Sequence, residues 1–312
     1  MAKKKPYRFV LYALVRAVAA VIGRLPRRFL LALAGTLGQW GYWGISRQRE
    51  RTLQNLRRAF GAEKSEAEIR TLAKGVFENL ALTIAEIIRI GRLDPRELKD
   101  FVDVGDAESV YRSVLSEGKG LISVTAHIGN WELLAATFGS MGFRGGVLAR
   151  RIYYEPYNRW IVGLRARLGV PTIYRDHASK EILRRLGSGE IIGMLPDQDI
   201  ASLKGVFVDF FGIPAYTPTS PVKLALASGA PILTSFLIRE PGNRYRVIVG
   251  DIIRPDITTT REEAVARFTG YWMESCERII RRYPEQWAWM HNRWKTRPRR
   301  SRTRDFIMQG AS

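Results

Sequence analysis

One histidine of this sequence, at the end of a predicted strand, is a candidate general base. His127 directly follows the apolar run of residues 120–126 and opens the hexapeptide HIGNWE, which ends at Glu132. A carboxylate five positions after a strand-end histidine can fold back and accept the ring Nδ1 proton, which leaves Nε2 facing outward as an acceptor. Gly129 permits the tight turn, and Asn130 can cap the following helix. The pattern predicts a base held by an orienting acid, as in hydrolases and acyltransferases.

The sequence offers this base no nucleophile of its own. It has no G-x-S-x-G motif, and Ser123 and Thr125 fall inside the predicted strand rather than on a sharp turn. The single cysteine, Cys276, excludes an intramolecular disulfide and lies in the charged helical context ESCERIIRR, where we expect a packing role. The hydroxyl that His127 would activate therefore belongs to a substrate. The alternative is a histidine that is hydrogen-bonded for structural reasons only.

Alternating strands and helices must position these side chains. Beyond residue 105, apolar β-branched runs predict strands at residues 120–126, 145–152, 190–198, 231–240 and 245–253. Helices are predicted between most of them, at residues 131–141, 156–168, 178–187 and 219–228. Such alternation predicts an α/β fold with a mixed, mostly parallel sheet flanked by helices. Because ligands of open α/β sheets collect beyond the carboxyl ends of strands, we expect the site there.

A second polar cluster, MLPDQD, follows the predicted strand at residues 190–198. Asp197 and Asp199 lack the further ligands of a typical divalent metal site, so we predict no metal. We expect Asp197 to pair with Arg165, because a guanidinium fork suits a bidentate carboxylate contact. The alternative is an ion pair elsewhere on the surface.

Four further residues are candidates for holding substrate or an oxyanion. Arg150 ends a predicted strand and could contact phosphates, although a solvated charge is an equal alternative. Thr217 and Thr219 stand at a predicted helix start, whose free N–H groups could hold a phosphate or an oxyanion, with simple capping as the alternative. Asn130 is the fourth candidate. For His291, among the tryptophans of WAWMHNRWK, we expect a structural role.

Positive charge is concentrated at the two ends of the chain. The 312 residues carry a net charge of +20, and residues 1–60 hold 13 Lys and Arg against one acidic residue. The apolar runs at residues 9–23 and 29–45 alternate with these charges, and the first is too short for a membrane-spanning helix of roughly 20 residues. We predict interfacial helices that dock on an anionic membrane surface, with ordinary core helices as the alternative.

The sequence divides into three predicted parts. Residues 1–46 form a membrane-binding extension, residues 47–298 an α/β catalytic domain, and residues 299–312 a basic tail. The extension also places Trp40, Tyr42 and Trp43 where aromatic residues meet lipid headgroups.

Several ordered motifs together resemble the lipid A biosynthesis acyltransferases, a family with an H-x4-D/E motif. HIGNWE is similar to that motif, and RTLQNLRRAFG, YNRWIVGLRARLGV, MLPDQD and PEQWAWMHNRWKTRP resemble the family's other blocks. The family's characteristic arginine falls on Arg165 in YNRWIVGLRARLGV, and its matching acid falls on Asp197 in MLPDQD. The resemblance covers nearly the whole chain and implies a glycerolipid acyltransferase-like fold.

The resemblance implies an acyl transfer without any bound cofactor. The donor would be a thioester of acyl carrier protein or coenzyme A, and the acceptor a hydroxyl of a lipid A precursor. His127 would deprotonate that hydroxyl while Glu132 holds the imidazole. The implied location is the cytoplasmic face of the bacterial inner membrane, with peripheral or single-pass attachment.

Three alternatives follow from the same residues. Relatives with the same fold acylate phosphatidylinositol mannosides, so the acceptor could be another glycolipid. The same dyad acting on water would make a hydrolase. Basic ends also suit nucleic acid, but no helix-turn-helix, RRM, KH or zinc motif is present, so we expect no nucleic-acid partner.

Overall fold

The computed structural model describes residues 7–176 and 178–298. The α-helices are α1 (Tyr7–Ile22), α2 (Arg27–Gly44), α3 (Ser46–Phe60), α4 (Glu66–Ile90), α5 (Leu98–Phe101), α6 (Ala107–Leu115), α7 (Trp131–Ser140), α8 (Glu155–Arg167), α9 (Ser179–Gly187), α10 (Ser220–Ser228) and α11 (Arg261–Arg282). The strands are β1 (Val102–Asp103), β2 (Leu121–Val124), β3 (Gly145–Ala149), β4 (Thr172–Tyr174), β5 (Ile191–Met194), β6 (Gly205–Phe210), β7 (Ile213–Pro218), β8 (Ile232–Glu240) and β9 (Arg244–Ile253). The predicted basic tail lies outside the described residues.

A seven-stranded sheet in the order β1-β9-β8-β2-β5-β3-β4 forms the centre of the molecule. Strands β8, β2, β5, β3 and β4 run parallel to one another, whereas β9 pairs with β8 in the antiparallel sense. The central strands β2 and β5 are short and almost wholly buried, which is typical of parallel strands covered on both faces. The predicted fold class is confirmed.

Local sequence signals explain most of these elements. Ser65 begins α4 with a capping box: its backbone N–H donates to Glu68, and its hydroxyl accepts from the Glu68 N–H, as the S-x-x-E spacing predicts. All five predicted strands and all four predicted helices are present, with bounds shifted by a few residues. The sequence analysis missed β1 and β4, which are two and three residues long, and the antiparallel hairpin of β6 and β7.

The helices α1 and α2 each expose large apolar side chains to solvent. Phe9 and Leu14 on α1 are 65% and 60% exposed, and Phe29 and Trp40 on α2 are 70% and 67% exposed. The inner face of α2 packs on α4 and buries Leu30, Leu31 and Ala34 against Leu82 and Ala85. Within the described ranges, none of the helices combines the length and apolar character that crossing a bilayer requires.

The aromatic residues of α2 divide between the two faces. Trp40 and Trp43 are 67% and 66% exposed, which the position at lipid headgroups predicted for Trp40, Tyr42 and Trp43 requires. The prediction is wrong for Tyr42, which is buried and makes an edge-to-face contact with Phe77 of α4. Helical geometry is the reason, because residue 42 lies on the face of α2 that packs on α4.

A buried ionic cluster connects α2 and α4 to the sheet. The Glu86 carboxylate on α4 accepts from Arg27 of α2 at 2.6 Å and from Arg239 of β8 at 2.9 Å, and it also accepts from the Tyr245 hydroxyl of β9. The Asn130 amide donates to the same carboxylate at 3.2 Å. Glu86 therefore connects helix α2, strands β8 and β9, and the segment that carries His127.

Replacing Glu86 with alanine should strongly destabilise the protein. Arg239 would stay buried without its counter-ion, and removal of one partner of a buried pair costs about 3–5 kcal/mol of unfolding free energy. Urea denaturation measures the loss. Glu66→Ala is the matched control on the same helix, since Glu66 pairs with arginines at the surface and should change stability much less. Equal midpoints for the two variants would contradict a structural role for the Glu86 cluster.

Candidate active site

Neighbouring strands bring His127 and Asp197 together. In the parallel register, Val124 at the end of β2 is opposite Met194 at the end of β5, and the Thr125 N–H continues the pairing to the Met194 carbonyl. His127 and Asp197 each lie three residues beyond these paired positions. Both side chains consequently meet at the carboxyl edge of the sheet, where the sequence analysis expected the site.

The carboxylate that orients His127 belongs to Asp197. Its Oδ1 lies 2.7 Å from His127 Nδ1, and its Oδ2 accepts from the His127 backbone N–H at 2.8 Å and from the Trp287 indole at 2.9 Å. Asp197 is fully buried, whereas the His127 side chain is 21% exposed. The arrangement fixes the proton on Nδ1 and leaves Nε2 available as a base.

The predicted partners of Glu132 and Arg165 are wrong. Glu132 does not hold His127; it accepts from Arg165 Nε at 2.8 Å and from Nη2 at 2.5 Å, in a bidentate pair. Arg165 correspondingly does not reach Asp197. The physical reason is the direction of the first turn of α7, which points Glu132 toward α8 rather than back beneath the imidazole. The Glu132–Arg165 pair lines the pocket beside His127.

Burial and charge act in opposite directions on this pair. Burial lowers the pKa of His127, but the adjacent Asp197 carboxylate, with a smaller contribution from Glu132, raises it, so the pKa of His127 lies above its ordinary value. Burial raises the pKa of Asp197, but the charge of His127 and the three hydrogen bonds hold the pKa of Asp197 below its ordinary value. Asp197 therefore remains ionised while His127 gains and loses a proton.

Two further polar side chains, Gln198 and His291, contact or approach His127. The Gln198 amide nitrogen is 3.2 Å from His127 Nε2 and 2.8 Å from His291 Nε2, and the two imidazole rings are 5.2 Å apart. Burial, reinforced by the charge of His127, lowers the pKa of His291 to about 4. Neutral His291 can thus accept a hydrogen bond from Gln198 near neutral pH. The structure places His291 at the site, where the sequence analysis expected only a structural role.

The C-terminal segment, residues 284–298, holds the His127 turn in place. The Gly129 N–H donates to the Gln286 carbonyl, and the Ala288 N–H donates to the His127 carbonyl. Gly129 has a φ of +58°, and a Cβ there would lie 1.9 Å from the Leu237 carbonyl oxygen, so the predicted glycine turn is confirmed.

Three predicted ligand-binding residues face away from the site. Asn130 is fully buried, caps α7 and donates to Glu86, so only its predicted capping is confirmed. Thr217 is buried and accepts from Arg293 at 2.6 Å, while Thr219 is buried and donates to a backbone carbonyl. None of these hydroxyl or amide groups is free for a substrate. The cause is that Thr217, near the end of β7, and Thr219, which directly precedes α10, both turn their side chains into the core.

A central pocket of about 280 Å³ opens in front of His127. Glu132 and Arg165 form part of its wall, and Arg150 and Arg175 supply positive charge. Arg150 thus lines the pocket, and its contact with a substrate phosphate stays a prediction. The pocket combines one base, an ion pair and two additional cations, which suits an anionic substrate.

Two apolar cavities adjoin the central pocket. The inner cavity, of about 70 Å³, lies between α7 and the strands β2, β3 and β5, and Leu134, Phe138 and Val147 contribute to its walls. The lateral cavity, of about 260 Å³, lies between α4, α7 and α8. Trp131 and Ala135 line all three spaces, so both cavities begin beside His127.

Comparison with known proteins shows the family of the chain. A family model described as "Bacterial lipid A biosynthesis acyltransferase" matches residues 1–296. The chain belongs to this family. It is accordingly an acyltransferase, as the resemblance of its motifs implied.

Individual relatives cover most of the acyltransferase. The lipid A biosynthesis lauroyltransferase of Escherichia coli strain K12 is 27% identical over 281 residues, 89% of each chain. The lipid A biosynthesis palmitoleoyltransferase of the same strain is 26% identical over 285 residues, 88% of each chain. A phosphatidylinositol mannoside acyltransferase of Mycolicibacterium smegmatis is 26% identical over 254 residues, 78% of this chain and 79% of the relative.

The acyltransferase also contains site residues that the sequence analysis missed, namely Trp287 and Gln198. Trp287 reaches Asp197 from the C-terminal segment, about 90 residues away in sequence, and no local pattern could indicate that contact. Gln198 could have been found, because it stands next to Asp197 in MLPDQD at a predicted strand end.

Titration of His127 should distinguish the effects of Asp197 and Glu132 on its pKa. In Asp197→Asn, the pKa of His127 should fall below 6.5, because burial then acts without its opposing charge. Glu132→Gln should lower it much less, since Glu132 is neutralised by Arg165. NMR titration of 15N-labelled histidine measures both, with His127→Gln used to assign the signal. A larger fall in Glu132→Gln than in Asp197→Asn would contradict the pairing.

Proposed function

We propose that this acyltransferase moves a fatty acyl chain from a thioester to a hydroxyl of a lipid A precursor. The observation that carries the proposal is the His127–Asp197 pair, with Nε2 of His127 directed at a cationic pocket flanked by apolar cavities. A base, an anion-binding wall and space for hydrocarbon are what such a reaction requires. The family membership and the names of the relatives support this substrate class.

The chemical step needs no nucleophile from the enzyme. The acceptor hydroxyl displaces Gln198 from His127 Nε2 and gives its proton to that nitrogen as its oxygen attacks the thioester carbonyl. The tetrahedral intermediate then expels the sulfur, and the imidazolium returns the proton to it. The products are an ester and a free thiol. Asp197 stabilises the imidazolium throughout and remains ionised.

The donor is proposed to be acyl carrier protein or coenzyme A carrying the acyl chain as a thioester. Its chain would enter the inner cavity, whose walls are almost wholly apolar and whose mouth lies at Trp131 beside the base. Arg150 and Arg175 would contact the anionic parts of the donor or acceptor near the reacting carbonyl. No metal or other cofactor takes part in the proposed step.

A second acceptor class is supported by one of the relatives. The Mycolicibacterium protein is a phosphatidylinositol mannoside acyltransferase by name, and it is nearly as similar to this chain as the lipid A enzymes. Such an acceptor would present a sugar hydroxyl to the same base. Incubation of the enzyme with acyl thioester and each purified acceptor, followed by mass spectrometry, distinguishes the two.

The proposed place of action is the cytoplasmic face of the bacterial inner membrane. The exposed apolar faces of α1 and α2, together with the positive charge of residues 1–60, suit the surface of an anionic bilayer. Both substrates would meet at this surface, since the acceptor is a lipid and the carrier is soluble.

His127→Ala should remove most acyl transfer while leaving the protein folded. Loss of a general base costs roughly 10²–10⁴-fold in rate. Transfer from a radiolabelled acyl thioester to the lipid acceptor is measured, and circular dichroism shows that the fold is kept. Full transfer by the folded His127→Ala enzyme would refute the mechanism. Acyl release by wild-type enzyme without any acceptor, at the rate of transfer, would instead indicate a hydrolase.

Membrane binding should depend on the exposed apolar face of α2. Wild-type protein should stay bound to phosphatidylglycerol vesicles in 1 M NaCl, because salt screens charges but not apolar insertion. Leu33→Glu with Leu37→Glu should release it, and sedimentation with vesicles measures the bound fraction. The control, Ile257→Glu with Tyr271→Glu, makes the same change at exposed apolar positions outside the extension. Retention of the α2 variant at high salt would contradict a membrane role for this face.

A further inference from the structure

In the proposed reaction, neither the proton transfer nor the binding of the donor chain uses the lateral cavity. It lies between α4, α7 and α8, and apart from the Glu132–Arg165 pair and Trp131 its lining is aliphatic. The aliphatic side chains on α4 and α8 are Ile87, Ile90, Ile161 and Leu164. At about 260 Å³, it is the larger of the two apolar cavities beside His127.

This cavity has a partly exposed lining residue, and the helix α8 that forms one wall contacts α1. Ile152, one of its lining residues, is 40% exposed. Helix α8, which forms one wall, contacts α1 directly. The rings of Tyr12 and Tyr157 make an edge-to-face contact with their centres 5.0 Å apart, and the Arg16 guanidinium lies 5.0 Å from the ring centre of Trp160. A hydrocarbon chain that leaves the bilayer beside α1 would therefore meet the cavity first.

The inner side of the cavity reaches the catalytic base. Trp131, Glu132 and Arg165 line both the lateral cavity and the central pocket, and the Trp131 ring lies 5.1 Å from the His127 ring. The Glu132–Arg165 pair thus forms a polar boundary between the lateral cavity and the central pocket. An amphipathic molecule could occupy both, with its chain on one side of the pair and its polar head on the other.

The inner cavity differs in its surroundings. Its lining within the described ranges includes no residue of α1, α4 or α8; it is formed by the strands, α6, α7 and their connecting loops. Helix α7 lines both cavities, whereas residues of α4 and α8 line only the lateral cavity. The two cavities therefore suit chains that arrive from different sides.

We propose that the lateral cavity binds one hydrocarbon chain of the acceptor lipid while the donor chain occupies the inner cavity. This inference rests on the proposed function. The acceptor's anionic head would lie in the central pocket near Arg150 and Arg175, and its hydroxyl would lie at His127 Nε2. Glu132 and Arg165 act here as positioning residues that separate chain from head.

Alkyl phosphates of eight to fourteen carbons test the proposal as simple mimics of such a lipid. Their affinity for the full-length enzyme, measured by calorimetry below the micelle concentration, should rise about fourfold with each methylene until the cavity is filled. In transfer assays they should compete with the lipid acceptor and not with the acyl thioester. Competition with the thioester instead would overturn the proposal.

Variants at Ile161 connect the effect to the cavity. Ile161→Trp fills the lateral cavity and should weaken the fourteen-carbon phosphate at least tenfold, with an increased KM for the acceptor and an unchanged KM for the thioester. Ala166→Trp places the same bulk on the exposed face of the same helix and should behave as wild type. Unchanged binding by folded Ile161→Trp would contradict the assignment.

A smaller side chain keeps the test valid if Ile161→Trp fails to fold. Ile161→Ala enlarges the cavity, so affinity should continue to rise beyond the chain length at which the wild type levels off. An unchanged limit would overturn the proposal. Failure of the wild type to acylate any lipid would instead refute the proposed function, a result that the transfer assay reports separately from alkyl phosphate binding.

Discussion

The structure of the site depends on one buried carboxylate. Asp197 is fully enclosed, and a charge so placed is stable only because three hydrogen-bond donors surround it, one of them the ionisable ring of His127. Two donors belong to His127 and one to Trp287, so the carboxylate ties the ends of two central strands to the C-terminal segment. The tautomer and the orientation of the base follow from this single interaction.

The other buried ion pairs complete the arrangement around it. Glu132 and Arg165 connect α7 to α8 at the wall of the central pocket. Glu86 pairs with Arg27 and Arg239 and also accepts from Asn130, the N-cap residue of α7. The first pair lines the pocket beside His127, and the second group connects α2 and α4 to β8. The exposed apolar face of α2 is thus joined to the catalytic edge of the sheet through Glu86.

Sequence predicted the fold well because its signals are local. Strand and helix patterns, the Ser65 capping box and the turn at Gly129 each arise within a few residues. The partner of His127 was predicted wrongly because it depends on which strands are neighbours. Glu132 is near in sequence, but Asp197 is near in space, since β2 pairs with β5. The contacts of Trp287 and His291 likewise depend on how the C-terminal segment crosses the sheet edge.

In the proposed reaction, His127 acts directly on a substrate hydroxyl. Within residues 7–176 and 178–298, no serine, threonine or cysteine side chain is hydrogen-bonded to His127, and Cys276 is fully buried in α11. Intact-protein mass spectrometry of enzyme quenched during turnover with acyl thioester tests this most directly. The protein should remain unmodified at every time point, with and without acceptor. A transient mass increase of one acyl group, formed and consumed at the rate of transfer, would contradict it.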